Sequence, residues 1–218
     1  MSKRVMVIAA HPDDELLGCG GTIARHTDEG DEVCIVIVCE GESLRYDGLC
    51  VNQDAATKQA AQILGVDQVH TLKFPDQKLD IYCLVDVITA IEKIVEVFKP
   101  QIVYTHYSGD LNRDHRIVFE AANVALRPFS KYLEEFYSFY IVGSTELAYN
   151  KNFEPDTWVD ISKTLQKKLD AFACYKSEVR EYPHPRSLRG LENFAKYVGN
   201  QCYMEAAEMF MTVRRIKR

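Results

Sequence analysis

Apolar residues along the chain follow two rhythms in alternation. Apolar runs at residues 5–10, 33–39 and 102–105 have the length and the Val/Ile content of buried strands, residues 69–72 read as a short strand and residues 136–142 as another. Between them apolar positions recur at steps of three and four. Leu16, Leu17, Gly20, Ile23 and Ala24 form one such stripe, which Gly30 is placed to stop. Ala56, Ala60, Ile63 and Leu64 form a second, over residues 52–64, closed by Gly65. Leu84, Ile88, Ile91, Val95 and Phe98 form a long third that must end before Pro100. Ile117, Ala121, Ala122 and Ala125 form a fourth, ending before Pro128. Residues 40–50 are polar and glycine-punctuated and read as a loop.

Strands that are apolar on both faces, separated by helices, imply a parallel sheet covered on both sides. The predicted fold is α/β, a Rossmann-like three-layer sandwich around a mostly parallel central sheet. The last third is less regular. Ile161, Leu165, Leu169 and Phe172 fit one helix; Leu188, Leu191, Phe194 and Val198 fit another, weakened by Gly190. Residues 207–213 suggest a late strand, and Tyr182-Pro183-His184-Pro185 a loop. With no internal repeat and no linker-like stretch, residues 1–218 read as a single domain. Its C-terminal third, from about residue 145, completes the pocket.

Polar residues then single out two strand ends. Ala10-His11-Pro12-Asp13-Asp14-Glu15 follows the first strand, and His106-Tyr107-Ser108-Gly109-Asp110-Leu111-Asn112-Arg113-Asp114-His115 follows the fourth. Open parallel sheets bind ligands beyond the carboxyl ends of their strands, where strand order reverses, and in a Rossmann-like order these two strands flank that crevice. The two clusters are therefore expected to meet. Histidine beside several carboxylates is too costly to bury without compensation, and a divalent cation supplies it. Two histidines and a carboxylate with open positions describe a catalytic zinc site, and iron(II) accepts the same set. Helix capping would account for the aspartates but not for His11 or the second cluster. Zinc brings the pKa of bound water to about 7, and a neighbouring carboxylate can take its proton.

Composition narrows the partners. A net charge of −6 and a pI near 5.6 argue against nucleic acid or an anionic membrane surface. No apolar run approaches the roughly 20 residues of a membrane span. The seven cysteines lack any Cys-x-x-Cys pair and lie mostly in apolar patterns, so they read as small buried thiols in a reducing, cytoplasmic setting.

The motif from Ala10 to Glu15, the following Gly20-Gly21-Thr22 and the Asp114-His115 pair resemble the PIG-L-type (LmbE-like) family of metal-dependent N-deacetylases. The resemblance implies His11, Asp14 and His115 as metal ligands, Asp13 as general base and Asp114 as a carboxylate supporting a ligand. It also implies hydrolysis of an acetyl amide on a glucosamine-type sugar, and a homo-oligomer. One position departs: many members carry a histidine three residues before the ligand histidine, where this chain has Asn112, which can donate a hydrogen bond but not act as an acid. His184 is the replacement acid to consider, unless Asp13 also carries the proton to the amine.

Further candidates face the same crevice. Glu40, Glu42 and Arg45 follow the second strand, and Asp76 follows the third; Glu40, Arg45 and Asp76 are candidate sugar-binding residues. Arg186 and Arg189 flank the His184 loop and suit an anionic substrate group. Asp110 is equally a turn residue or a functional one, His106 a pocket wall, His26 and His70 outside the site. Two rival functions remain: an amidase of the same fold acting on a non-acetyl conjugate, and a dinucleotide-binding protein built on Gly18-Cys19-Gly20-Gly21. In the second, Ile23 breaks the glycine pattern and three carboxylates stand where a pyrophosphate would sit.

Overall fold

A computed structural model describes residues 2–43, 52–129, 131–149 and 152–218. Among the described residues seven strands form one sheet: β1 (Arg4–Ala9), β2 (Glu32–Cys39), β3 (Gln68–Phe74), β4 (Ile102–Thr105), β5 (Glu135–Phe139), β6 (Thr157–Asp160) and β7 (Ala207–Arg215). Their order is β3-β2-β1-β4-β5-β7-β6. The first five are parallel; β7 runs antiparallel to both β5 and β6. β1 pairs with β2 on one side and β4 on the other, so strand order reverses at its carboxyl end.

The α-helices among the described residues that cover the sheet are α1 (Asp14–Asp28), α2 (Gln53–Leu64), α3 (Leu84–Phe98), α4 (Arg113–Ala125), α5 (Leu165–Phe172) and α6 (Leu188–Asn200). Alternate residues of β1 serve opposite layers. Val5, Val7 and Ala9 pack with α1, α2 and α5, while Met6 and Ile8 pack with α3 and α4. The α3 stripe buries Val87, Ile91, Val95 and Phe98.

Several boundaries differ from the sequence reading. β1 stops at Ala9 because the Ala10 N–H donates to His106 Nε2 (2.8 Å) instead of to a strand. β5 stops at Phe139 because the Ile141 carbonyl accepts from the N–H groups of Ser144 and Thr145, turning the chain. Ile161 precedes α5, which starts at Leu165, and packs beneath α1. β6 has no counterpart in the sequence reading: it is four residues long, half-exposed and at the sheet edge, so it carries no apolar run. Cys19, Cys34 and Cys39 are buried thiols, whereas Cys83 is exposed and Cys174 and Cys202 are intermediate.

One packing detail steers α1. The helix breaks at Cys19 (φ −150°, ψ 26°), which frees backbone N–H groups in its middle. Glu208 on β7 accepts them, from Gly21 (3.0 Å) and Thr22 (2.7 Å), and is paired with buried Lys168 of α5 at 2.6 Å. The glycines of this helix admit close neighbours: a Cβ on Gly18 would collide with the Phe139 ring, and one on Gly21 would lie 2.7 Å from Ile161. They serve helix packing and form no phosphate-cradling loop.

Candidate active site

The chain leaves β1 buried and turns at Pro12. Asp13 adopts a left-handed backbone (φ 104°, ψ −28°), and its carbonyl accepts the N–H groups of Leu16 and Leu17, so α1 starts at once. The turn places His11 and Asp14 on one side: the His11 N–H donates to Asp14 Oδ2 (2.9 Å), and His11 Nδ1 lies 3.1 Å from the same oxygen. From β4 the chain reaches Asn112, whose side-chain oxygen accepts the Asp114 N–H (2.8 Å) and caps α4. That cap fixes His115 in the first turn, with Nε2 3.2 Å from Asp14 Oδ2. His11, Asp14 and His115 are thus brought together, their ligand atoms all within 4.8 Å of one another and all buried.

Each histidine turns its other nitrogen to a carboxylate. His11 Nε2 lies 3.1 Å from Asp114 Oδ2, and His115 Nδ1 lies 3.0 Å from Asp110 Oδ1. Asp110 is itself held by the hydroxyls of Ser144 (2.5 Å) and Thr145 (2.6 Å). Asp114 accepts the Leu79 N–H (3.1 Å). Such carboxylates draw the ring proton to the outer nitrogen and leave the inner nitrogen's lone pair toward Asp14, as ligation requires. The carboxylates of Asp14, Asp76, Asp110 and Asp114 are buried around these two imidazoles. The set fits a divalent cation, which would balance that charge.

Electrostatics agree. Burial opposes charge on His11, but hydrogen bonds to Asp114 and Asp14 and the charges of Asp14 and Asp76 raise its pKa to about 10. His115 is raised too: Asp14 and Asp110 outweigh its burial. Asp14 is held well below the carboxylate range, its burial outweighed by His115, His106 and His11. Asp110 falls to about 2, because His115, Ser144 and Thr145 outweigh burial. His106 goes the other way, lowered by burial and by His115, which its ring stacks at 3.9 Å. A neutral His106 can accept the Ala10 N–H and so hold the end of β1.

Asp13 has partners of its own. Its Oδ2 meets Arg186 Nη1 at 3.2 Å, and its N–H donates to Glu15 Oε2 (3.0 Å). Burial pushes its carboxyl well above the usual range, against the pull of Arg186. Burial likewise raises Glu15 to about 7, opposed by the Tyr175 hydroxyl that donates to Glu15 Oε1 (2.6 Å).

The remaining candidates have other surroundings. Arg186 reaches Asp13 and lies 3.7 Å from Glu178, so it faces the protein's own carboxylates. His184 is exposed, and its Nδ1 accepts the Arg186 N–H (3.0 Å). Asn112 has both ends of its amide engaged, one in the α4 cap and one donating to Gln77 Oε1 (3.2 Å). The Glu40 carboxylate accepts backbone N–H groups of Glu42, Ser43 and Asp76, which ties the β2 and β3 loops together. Asp76 is fully buried, 3.4 Å from His11 Nε2. Arg45 lies outside the described residues. Sequence reasoning missed Gln77, whose amide nitrogen is 3.0 Å from His11 Nε2, and Cys39, whose Sγ is 3.6 Å from Asp114. Gln77 adjoins Asp76 in the loop after β3, so position alone could have flagged it; nothing in the sequence flags Tyr175.

The family model described as PIG-L, GlcNAc-PI de-N-acetylase, matches residues 6–126, more than half of the chain. A diacetylchitobiose deacetylase of Thermococcus kodakarensis is 29% identical over 195 residues, covering 82% of this chain and 71% of that protein. Among solved structures, the N,N'-diacetylchitobiose deacetylase of Pyrococcus horikoshii superposes with a TM-score of 0.76 at 23% identity, covering 97% of this chain and 84% of that one. The 4-carboxy-2-hydroxymuconate hydratase GalB of Pseudomonas putida superposes at 0.80 with 21% identity, covering 99% and 98%. The hydratase and the deacetylase share one fold, so the superpositions establish architecture and the side chains must carry the chemistry. The chain belongs to the PIG-L family.

Proposed function

We propose that this PIG-L family member is a zinc-dependent hydrolase that removes the N-acetyl group of a GlcNAc-type amino sugar or its conjugate, releasing acetate. The single observation that carries the reading is the convergence of His11, Asp14 and His115, each histidine backed by its own carboxylate, with the buried Asp13 adjoining Asp14 in the chain. His11, Asp14 and His115 would hold the metal. When bound, zinc supplies Lewis acidity for the amide and a water of lowered pKa.

The chain's own residues then do the proton work. Asp13, the base, takes a proton from the attacking water onto a carboxylate oxygen. The water oxygen bonds to the acetyl carbon, the C–N bond breaks, and Asp13 returns the proton to the departing amine nitrogen. Assigning both transfers to Asp13 follows from the exposure of His184 and the engaged amide of Asn112. Asp114 and Asp110 hold the two imidazoles in orientation throughout. Glu40 and Asp76, at the ends of β2 and β3, are the proposed surroundings of the sugar hydroxyls, and Arg45, outside the described residues, is proposed with them. A GlcNAc-type substrate is favoured over a non-acetyl amide because the family description and the Thermococcus relative both name acetylated glucosamine compounds.

The test is acetate release from N-acetylglucosamine and N,N'-diacetylchitobiose by protein carrying a measured metal content. Asp13→Asn should lower kcat by roughly 10²–10⁴-fold with metal content unchanged. Full activity in Asp13→Asn would overturn the assignment of the base, and metal without acetate release would move the substrate to other amides.

A further inference from the structure

The left-handed backbone of Asp13 needs an explanation. A non-glycine residue at φ 104° is strained and persists only where its surroundings hold it. Those surroundings come from the far end of the chain. The Asp13 N–H is taken by Glu15 Oε2, and the other Glu15 oxygen is held by the hydroxyl of Tyr175, a residue with no solvent exposure that also lies 3.0 Å from Thr57 Oγ1. The Asp13 carboxylate is met by Arg186, whose side chain is only 17% exposed and also faces Glu178. Tyr175, Glu178 and Arg186 lie between α5 and α6, beyond the residues that the family model covers.

We infer that Tyr175 and Arg186 form a clamp that positions Asp13, Tyr175 through the Glu15 carboxylate on its backbone and Arg186 on its side chain. Both are positioning residues: they act through Asp13, and Arg186 binds no anionic substrate group. The inference rests on the reading of Asp13 as the base. Geometry supports it from both ends. The Glu15 carboxylate accepts both the Asp13 N–H and the Tyr175 hydroxyl, which links the Asp13 backbone to that phenol. Arg186 is anchored at its own backbone, where its N–H donates to His184 Nδ1 and its carbonyl accepts the Arg180 N–H (3.3 Å), so its guanidinium is presented from a fixed loop.

The experiment compares Tyr175→Phe, Arg186→Gln and Arg186→Lys as metal-loaded full-length proteins, alone and combined with Asp13→Asn, using N,N'-diacetylchitobiose. Arg186→Gln should lower kcat on the order of 10–100-fold and Tyr175→Phe roughly tenfold, with KM and metal content unchanged. Arg186→Lys should recover part of the loss. In the Asp13→Asn background Arg186→Gln should cost nothing further. A raised KM that persists in that background would overturn the clamp in favour of substrate binding, and an unchanged kcat would overturn it outright. Crystal structures of the variants read the clamp without substrate: Asp13 should leave its left-handed backbone in Tyr175→Phe and swing its carboxylate in Arg186→Gln, and an unmoved Asp13 would sink the inference. A fully active Asp13→Asn would instead sink the base assignment, leaving the crystals to judge the clamp.

Discussion

Two buried charge assemblies lie along α1, and they are built on opposite principles. At mid-helix, Lys168 and Glu208 meet at 2.6 Å, and every neighbour completes them: the Leu17 carbonyl takes the ammonium, while the Gly21 and Thr22 N–H groups take the carboxylate. Charges cancel and nothing further is called for. At the helix start, Asp14, Asp76, Asp110 and Asp114 surround two imidazoles whose inner nitrogens face one carboxylate oxygen. Here four carboxylates outnumber the charge that two imidazoles can carry even when both are protonated, and the excess is what a cation would answer. Buried charge is thus no signal of function by itself; convergence and imbalance are.

The sharpest way to break this contrast is at Asp14. Asp14→Ala should take metal content and acetate release to background, read by elemental analysis and by acetate assay. Asp110→Asn should be milder, lowering metal affinity by about 10–100-fold through a misoriented His115, as read by chelator competition. Lys168→Met should do the converse. It strands Glu208 and should cost about 3–5 kcal/mol of stability in denaturant titration, while metal stoichiometry stays unchanged.

A smaller effect sharpens the comparison through pH. The folded His11 pKa, about 10, lies above its ordinary 6.5, so its protonation stabilises the metal-free protein fully below pH 6.5. That contribution is lost as pH rises through about 10. The Tm of chelated protein should fall over this window, and Zn²⁺, which displaces the proton, should remove the trend. A flat metal-free profile would mean that the His11–carboxylate contacts contribute no net stability.

How much of this was legible in the sequence differs between the two assemblies. The runs at residues 5–10 and 102–105 announced adjacent parallel strands, and His11, Asp14 and His115 follow them at positions fixed by a turn and a helix cap. Such a site can be read because each half is local in sequence. The Lys168–Glu208 pair, Tyr175 and Arg186 could not be read that way. Their partners lie 40, 160 and 173 residues away, and each pairing depends on how α5, its loop and β7 dock, which no periodicity encodes. The Glu40 and Asp76 positions were visible as strand-end polar residues, but not that Glu40 would spend its carboxylate on the backbone of neighbouring loops.

The placement of β7 has a consequence for biogenesis. It is the seventh strand in chain order yet lies inside the sheet, between β5 and β6. During synthesis β5 emerges long before β7 and waits with one backbone edge unpaired, a template for adhesion to other nascent chains. The same delay leaves Gly21 and Thr22 without Glu208, so the break in α1 is capped only after β7 has docked. Completion of the helix that bears Asp14 is in this sense tied to the docking of a strand 187 residues further along the chain.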